Sequence, residues 1–274
     1  MNKMKCKHPS PLRRAIASLS FLPAGAVDRI HDLGTLLQKI ANAIRFEFFW
    51  DRCVAGNPEV VILPSFTITK SKHAIWDIAL SCVNRLGKEG VILEFGTNNG
   101  GSLFYFSKRV PQTVDLVGFD CFEGIPEPWD SLPKGSIKGY GAPIELWSDD
   151  PAQKARVLTQ VNETGKFPSP PQENVRIEAG LFSHSVPRFL KNGVPPDVRL
   201  IHFDADIYIS TRPVLDSICG QIDYRYYVLF DEFYSVNHEF KAWLEFTEFY
   251  NVHAWRVVAI SEDGAQALIE VNQD

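Results

Sequence analysis

A glycine-rich loop is the first part of the sequence whose residue types and spacing can do chemistry. It comprises Glu94, Gly96, Thr97, Asn98, Gly100, Gly101 and Ser102. Glycines let the backbone turn sharply and approach a ligand without a Cβ clash, and a helix that begins there offers free N–H groups. The order is G-x-x-x-G-G rather than the G-x-G-x-x-G of dinucleotide-binding enzymes. The loop predicts a ligand-binding turn, with a plain strand-to-helix turn as the alternative, and makes a nicotinamide cofactor the weaker option.

An acidic residue and a second loop follow at spacings that suit a nucleoside ligand. Asp120 stands 20 residues after Gly100, about where a nucleoside-binding α/β unit places an acid that accepts hydrogen bonds from two ribose hydroxyls. The loop at residues 180–182 follows the next predicted strand and suits the adenine side of such a ligand. A helix N-cap at Ser183 is compatible with the same residues. Asp120 in register with the glycine-rich loop favours a nucleoside-containing ligand.

Carboxylates also cluster after the fourth and fifth predicted strands. The fourth strand ends in His202-Phe203-Asp204-Ala205-Asp206, and the fifth ends in Phe230-Asp231-Glu232-Phe233. Four carboxylates at adjacent strand ends repel one another unless they share a cation, a proton or a basic substrate. Asp206 has a simpler alternative as the cap of the helix that begins near residue 210. The pattern predicts a charged functional site at this edge of the sheet.

These residues must be positioned by a sheet whose strands end side by side. Beyond residue 90, short apolar runs without alternation are separated by helical patterns, which is typical of parallel strands buried on both faces. The runs span residues 91–95, 114–119, 175–179, 198–203 and 226–230. Residues 254–260 and 265–271 flank a turn-like Ser-Glu-Asp-Gly sequence and predict a terminal antiparallel hairpin. We therefore expect a doubly wound, mostly parallel seven-stranded α/β sheet, whose ligands bind beyond the carboxyl ends of the strands.

The remaining segments predict a cap and a lid. Apolar residues recur at helical spacing over residues 27–50 and again over 75–86. We interpret residues 1–70 as a tail with a helical cap or interface, and residues 71–274 as the main domain. The insertion at 124–173 is rich in proline and aromatic residues and shows little periodicity, so we interpret it as a substrate lid.

Composition excludes several classes of partner. The 274 residues carry a net charge of −5 with a pI near 5.8, so nucleic-acid binding is not expected. Five cysteines without a C-x-x-C pair predict neither a disulfide framework nor a zinc site. The apolar run at 15–27 after a basic tail is too interrupted for a convincing secretion signal, and no run is long enough to cross a bilayer. We expect a cytoplasmic protein.

Four segments carry a resemblance to a known family. They are the glycine-rich loop, Gly-Phe-Asp-Cys-Phe-Glu-Gly-Ile-Pro at 118–126, Phe-Asp-Ala-Asp-Ile-Tyr-Ile-Ser-Thr at 203–211, and Phe-Asp-Glu-Phe at 230–233. Over roughly residues 90 to 270 the chain resembles the macrocin O-methyltransferase (TylF-like) family of class I methyltransferases. The resemblance implies a Rossmann-like fold and S-adenosylmethionine as the cofactor.

The resemblance also implies roles for individual residues. Glu94, Gly96, Thr97 and Asn98 line the methionine end of the cofactor, and Asp120 binds the ribose. The adenine is flanked by Phe122 and the 180–182 loop. The full set of expected cofactor-binding residues is Glu94, Gly96, Thr97, Asn98, Gly100, Gly101, Ser102, Asp120, Cys121, Phe122, Gly180, Leu181 and Phe182. The resemblance implies magnesium at Asp204, Asp231 and Glu232, with Asp204 as the base. His202, two residues before Asp204, is a further candidate for accepting the proton because of its position in the sequence.

The expected function is transfer of a methyl group to a hydroxyl of a small glycosylated or polyhydroxylated molecule, with possible help from magnesium. A nicotinamide-dependent oxidoreductase and a non-catalytic binding or assembly subunit with the same fold are the alternatives. We also expect a homo-oligomer, because the N-terminal helix must bury its apolar face.

Overall fold

The computed structural model of the chain describes residues 24–66, 72–129, 131–148, 150–164, 170 and 172–272, with only the helical backbone for residues 24–31. The chain divides into two compact units, Met1–Arg45 and Phe46–Asp274. The division falls inside the first helix, whereas the sequence analysis placed a boundary at residue 70. Residues beyond Phe46 join the second unit because aromatic side chains such as Phe49 are buried in its core.

Helices and strands alternate along the second unit as the apolar pattern predicts. The helices are α1 (Ala24–Cys53), α2 (His73–Leu86), α3 (Gly101–Ser107), α4 (Pro151–Thr164), α5 (Phe182–Phe189), α6 (Tyr208–Ser217) and α7 (Glu239–Phe249). The strands are β1 (Val61–Leu63), β2 (Gly90–Phe95), β3 (Val114–Asp120), β4 (Val175–Ala179), β5 (Val198–Phe203), β6 (Tyr226–Phe230), β7 (Trp255–Ser261) and β8 (Ala267–Val271).

All eight strands form one sheet in the order β1-β7-β8-β6-β5-β2-β3-β4. The strand β8 runs antiparallel to both of its neighbours, and the other pairs are parallel. The expected seven strands are all present, and the short β1 adds an eighth at the edge of the sheet. The chain turns from β2 towards β3 and β4, and later returns to β5 on the other side of β2. This reversal opens a crevice between β2 and β5, where ligands of open α/β sheets bind.

A row of four phenylalanines marks the level at which the central strands end. Phe95 pairs in register with Phe119 and Phe203, and Phe203 pairs with Phe230. The rings stack with centroids 4.6, 5.6 and 5.3 Å apart along this row. All four rings are fully buried on one face of the sheet. The residue after each phenylalanine therefore emerges at the same height above the core.

Within the first unit, the described part of α1 shows an apolar stripe. Its larger members at helical spacing are Leu33, Leu37, Ile40 and Ile44, and each is about half exposed. Val27 and Ile30, which the sequence analysis assigned to the same stripe, lie outside the residues whose side chains are described.

Candidate functional site

A cavity of about 310 Å³ opens above the phenylalanine row, at the carboxyl ends of β2, β3, β5 and β6. Eight of the residues expected at the site line it: Gly96, Asn98, Asp120, Cys121, Leu181, Phe182, Asp204 and Glu232. The cavity is completed by Asp206, the other carboxylate of the predicted charged site, and by residues without an assigned role, among them Lys72, Ile125, Trp129 and Ser210. The glycine-rich loop and the carboxylates of β5 and β6 therefore face one common space.

Gly96 lies where two strand ends approach most closely. Its backbone has a φ of +99°, and a Cβ atom placed there would lie 1.7 Å from the carbonyl oxygen of Asp204. The N–H of Asp204 donates to the carbonyl oxygen of Phe95, which keeps the ends of β2 and β5 together. Only glycine fits this position, because every other side chain would force the two strands apart.

Asp120 fixes the backbone on both sides of the cavity floor. Its Oδ2 accepts the N–H of Asn98 at 2.7 Å, and its Oδ1 accepts the N–H of Phe122 at 2.6 Å. Asn98 and Phe122 adopt left-handed conformations, with φ values of 45° and 58°. Burial raises the pKa of Asp120, although the two N–H donors favour its charged form. Since a carboxylate offers about four lone pairs, each oxygen can still accept a hydroxyl group.

The other expected cofactor residues lie behind the cavity wall. They are Glu94, Thr97, Gly100, Gly101, Ser102, Phe122 and Gly180, none of which lines the cavity. A Cβ atom at Gly100 would lie 2.9 Å from the side chain of Leu146, and one at Gly101 would lie 2.6 Å from Glu145. These two glycines therefore make room for the residues around 145.

Glu94 and His202 form a buried pair on neighbouring strands. His202 Nδ1 lies 2.9 Å from Glu94 Oε2, and both side chains have no exposed surface. The imidazole packs edge-on against Trp76 and Phe106, on the face of the sheet opposite the phenylalanine row. Burial raises the pKa of Glu94, and the partner histidine opposes that effect. The direct contact of Glu94 is therefore with His202, and His202 does not line the cavity.

The strand-end carboxylates divide into two groups that share Asp204. Ligand atoms of Asp204, Asp206 and Glu232 all lie within 4.8 Å of one another, and the same holds for His202, Asp204 and Asp231. The expected magnesium ligands, Asp204, Asp231 and Glu232, are thus spread over both groups rather than forming one.

The electrostatics of the two groups differ. Burial, followed by repulsion from Asp204, raises the pKa of Asp206 to about 7. The pKa of Glu232 lies well above its usual value because of burial and the nearby Asp204, and Glu239 behaves in the same way. Glu239 accepts the backbone N–H of Glu232 at 3.0 Å, and Glu232 Oε2 has no hydrogen-bond partner among the described residues. Full ionisation of this half of the cluster would therefore place more negative charge there than the described side chains neutralise.

The comparisons with known proteins agree with this geometry. The model of the family described as macrocin O-methyltransferase (TylF) matches residues 67–264. The chain belongs to the macrocin O-methyltransferase (TylF) family. It is accordingly an S-adenosylmethionine-dependent O-methyltransferase, as its sequence motifs predicted. A comparison with the sequences of curated proteins finds no match.

Solved structures with a similar fold include other methyltransferases. The O-methyltransferase NovP is 16% identical, with a TM-score of 0.50, and the match covers 73% of this chain and 80% of NovP. The calicheamicin methyltransferase CalS11 is 20% identical over 84% of this chain and 91% of its own, with a TM-score of 0.48. TomG from Streptomyces achromogenes, solved with S-adenosylmethionine, is 14% identical, with a TM-score of 0.42. The match covers 73% of this chain and 80% of TomG. The likeness to NovP concerns the fold.

Two polar residues line the cavity of this TylF-family site beside the expected ligands and bases. Asp206 was counted among the four carboxylates of a charged site, with a helix cap as the alternative. The structure favours the charged site, because no side chain caps α6 and Asp206 lines the cavity with a φ of +61°. Its position two residues after Asp204 was a usable signal, because alternate residues share a side of the chain. Lys72 lies outside every motif, more than 100 residues before the carboxylates that it contacts, so no local pattern could have identified it.

The first part of the predicted lid folds over the cavity of this methyltransferase. The N–H of Ile125 donates to Ser136, the N–H of Gly135 donates back to Ile125, and Trp129 pairs with Leu132. Trp129 Nε1 is buried and has no hydrogen-bond partner among the described residues. The later helix α4 buries none of its side chains. The described residues of the loop at 125–136 therefore form the cavity roof.

Proposed function

We propose that the chain transfers the methyl group of S-adenosylmethionine to a hydroxyl of a small glycosylated or polyhydroxylated molecule. The observation that carries the proposal is the single cavity in which the Asp120 and Asn98 side faces the Asp204, Asp206 and Glu232 side. A methyl donor and a proton acceptor must lie within a few ångströms of one hydroxyl for this reaction. The cavity supports the proposal because expected cofactor residues and the strand-end carboxylates line the same space.

The cofactor side has the features that a nucleoside ligand requires. Asp120 keeps free lone pairs for ribose hydroxyls, and Gly96 leaves the cavity floor open. Leu181 and Phe182 supply apolar surface for a flat base, as does Ile125. The cofactor brings a methyl group activated by its sulfonium charge. The chain's contribution is to hold that methyl group over the carboxylates and to exclude water.

The carboxylate side has donors that suit a magnesium ion. Asp204, Asp206 and Glu232 offer hard oxygen ligands within 4.8 Å of one another, and Glu232 Oε2 is an orphaned buried acceptor. Magnesium takes oxygen ligands and keeps open positions for substrate oxygens. When bound, it would make the acceptor hydroxyl more acidic. We propose Asp204 and Glu232 as its ligands, and Asp231 is a weaker candidate because both of its oxygens already accept hydrogen bonds.

The proton of the acceptor hydroxyl has two candidate destinations in the cavity. Asp204 was expected from the sequence, and Asp206 joins it because its pKa of about 7 lies near the working range of a general base. Both side chains line the cavity, whereas His202 does not. We propose that one of the two aspartates takes the proton. The buried Glu94–His202 pair would then hold the end of β5, and hence Asp204, in place.

The roof loop would complete the site by covering the acceptor. Trp129 and Ile137 give the cavity apolar surface opposite the carboxylates, and the unpartnered Trp129 Nε1 can donate a hydrogen bond to an acceptor oxygen. An acceptor with both an apolar face and several hydroxyls fits these surroundings. We propose the same role for the wider insertion at 124–173 as a substrate lid.

Two further expectations belong to this proposal. The apolar stripe of α1 supports a homo-oligomer, which sedimentation at increasing concentration would test. We also keep the expectation of a cytoplasmic enzyme. None of the helices in the described residues combines the length and the apolar content that crossing a bilayer requires.

A ligand screen followed by a transfer assay tests the proposed function. S-adenosylhomocysteine should raise the melting temperature of the protein and NAD(H) should not, since a ligand at 100 times its dissociation constant adds about 2.7 kcal/mol. Labelled S-adenosylmethionine should then label hydroxylated, glycosylated compounds, and Asp206→Asn should reduce that labelling. The exposed surface variant Asp115→Asn serves as the control. Stabilisation by NAD(H) would favour the oxidoreductase alternative, and cofactor binding without any transfer would favour the non-catalytic one.

A further inference from the structure

A lysine ammonium already lies inside the carboxylate cluster. Lys72, the residue before α2, places its Nζ in contact with Asp231 Oδ2 and 3.4 Å from Asp204 Oδ2. The same ammonium lies 5.6 Å from the ring centroid of Phe66. The side chain of Lys72 is 23% exposed, and that of Asp231 has no exposed surface. The ammonium is therefore directed from the cavity wall into the buried half of the cluster.

The hydrogen bonds of Asp231 leave little room for another cation. Its Oδ1 accepts the side-chain amide of Gln266 at 2.7 Å, and its Oδ2 accepts the ammonium of Lys72. A buried carboxylate without a compensating charge is strongly destabilising. Lys72 supplies that charge, with three donors on one compact ammonium group. A metal ion at the same oxygen would have to displace it.

The other half of the cluster lacks such a contact. Asp206 and Glu232 have no ammonium or guanidinium within ion-pair distance among the described residues, although Lys72 lies near enough to influence their pKa values. Glu232 Oε2 has no hydrogen-bond partner there either. Asp204 belongs to both halves, with its Oδ2 towards Lys72. The two groups are thus unequal, since one contains a cation of the chain itself.

We infer that Lys72 is the resident cation of the His202–Asp204–Asp231 group and restricts a divalent cation to the Asp204–Asp206–Glu232 group. The inference rests on the proposed metal assistance. Lys72 acts as a positioning residue, because it orients Asp204 through one carboxylate oxygen and leaves the other for a metal or a proton. The site then holds one divalent ion beside one ammonium, instead of two ions that share Asp204.

Binding of Mn²⁺ to the full-length protein tests this inference without an acceptor. Electron paramagnetic resonance titration of free Mn²⁺ should give one bound ion per chain for the wild type. Lys72→Met should bind a second ion, because the oxygens of Asp231 and Asp204 become available. Lys72→Arg, which keeps the charge, should bind one ion. The double variant Lys72→Met with Asp231→Asn should also return to one ion, because the second group has lost a charged ligand.

Thermal unfolding supplies a second measurement. In EDTA, Lys72→Met should lower the melting temperature by about 6 °C or more, since a buried carboxylate loses its partner. Magnesium chloride should restore most of this loss, and it should change the wild-type melting temperature less. Lys72→Gln replaces Lys72→Met in both experiments if the methionine variant does not fold.

The inference is overturned if Lys72→Met and the wild type bind the same number of Mn²⁺ ions with affinities within about threefold of each other. It is also overturned if no variant binds Mn²⁺. Binding of Mn²⁺ by Lys72→Met alone would overturn it as well, because the Asp204–Asp206–Glu232 group of the wild type would then hold no ion. Failure of the proposed methyl transfer is recognised separately, because S-adenosylhomocysteine binding and labelled transfer do not depend on the number of bound ions.

Discussion

His202 Nδ1 lies 2.9 Å from Glu94 Oε2, and the two residues are direct neighbours across β2 and β5. This pair joins the strand that leads into the glycine-rich loop to the strand that ends in Asp204. Neither side chain reaches solvent, so water cannot replace the hydrogen bond between them. A contact below the cavity therefore couples the cofactor side of the site to the carboxylate side.

We expect His202→Phe to lower the free energy of unfolding by about 3–5 kcal/mol, because it leaves the buried Glu94 carboxyl group without its partner. Urea denaturation measures the change. Adding Glu94→Gln to His202→Phe should restore part of the loss, because the buried charge is removed. The exposed His184→Phe variant is the control and should change stability little. Simple additivity of the Glu94 and His202 variants would contradict a coupled pair.

Asp120→Asn should raise the dissociation constant of S-adenosylhomocysteine by at least about tenfold, since each charge-assisted hydrogen bond contributes roughly 1.5–3 kcal/mol. Asp120 accepts hydrogen bonds from two backbone N–H groups, and the substitution turns an amide donor towards one of these donors, so that one hydrogen bond is lost. Calorimetry on the purified variants measures the affinity. Asp115→Asn, on the same strand but exposed, should bind normally. Equal affinity of both variants would exclude Asp120 as a ribose ligand.

Gly96→Ala should prevent folding or destabilise the protein by more than about 4 kcal/mol, because its Cβ would lie 1.7 Å from the Asp204 carbonyl oxygen. Gly180→Ala is a matched control. Gly180 also has a positive φ, of +127°, but no atom lies within 4 Å of its added Cβ. The Gly180→Ala substitution should therefore lower the free energy of unfolding only by the backbone strain, roughly 1–3 kcal/mol. Equal losses in chemical denaturation would show that the close approach of β2 and β5 is relaxed easily.

Asp206 should make the metal-free protein less stable as the pH rises. Its pKa is raised from 3.8 to about 7, so the folded state holds a proton between these values that the unfolded state has lost. The resulting loss in the free energy of unfolding is absent below about pH 4 and grows towards pH 7. Above about pH 7 it stays constant, at up to roughly 4 kcal/mol.

In EDTA, Asp206→Asn should therefore stabilise the protein more at pH 8 than at pH 4, as measured by urea denaturation. Asp115→Asn should show no such difference between the two pH values. If Asp206→Asn raised the free energy of unfolding by the same amount at pH 4 and at pH 8, the raised pKa of Asp206 would be contradicted.

Two truncations test where the first unit ends. Removal of residues 1–45 should leave a folded protein, because the second unit begins at Phe46. Removal of residues 1–50 should destabilise it by about 3–5 kcal/mol or more, since it deletes three aromatic side chains of the core and its margin, Phe46, Phe49 and Trp50. Phe46 lies 5.0 Å from Phe240 and Phe49 lies 5.3 Å from Phe233, between ring centroids. Similar melting temperatures for both truncations would place the boundary later in the chain.

The central strands could be predicted closely from the sequence because they are buried on both faces. The runs at 198–203 and 226–230 match the observed strands at both ends, and every residue of these two strands is buried. An apolar run that must avoid water on both sides leaves a strong local signal. The short β1 was not among the seven expected strands, and two of its three residues are exposed. Its pairing with β7 depends on contacts nearly 200 residues away.

The site was predictable only where its residues follow strands. Asp120 and Asp204 emerge directly after buried runs, so their place at the cavity could be inferred from position. Side-chain direction could not be inferred in this way, and as a result Asp231 and Glu232 were assigned to one metal site although they belong to different groups. Lys72 gave no signal at all, because its role depends on how α2 packs against the sheet.

The row of stacked phenylalanines limits how the enzyme can change over time. An insertion or deletion inside β2, β3, β5 or β6 would move one ring out of the row and turn the following functional residue to the wrong face. Segments beyond the row, such as the loop at 125–136, carry no such restriction on length. Selection for a new acceptor can therefore remodel the roof of the cavity while the methyl donor and the carboxylates keep their separation.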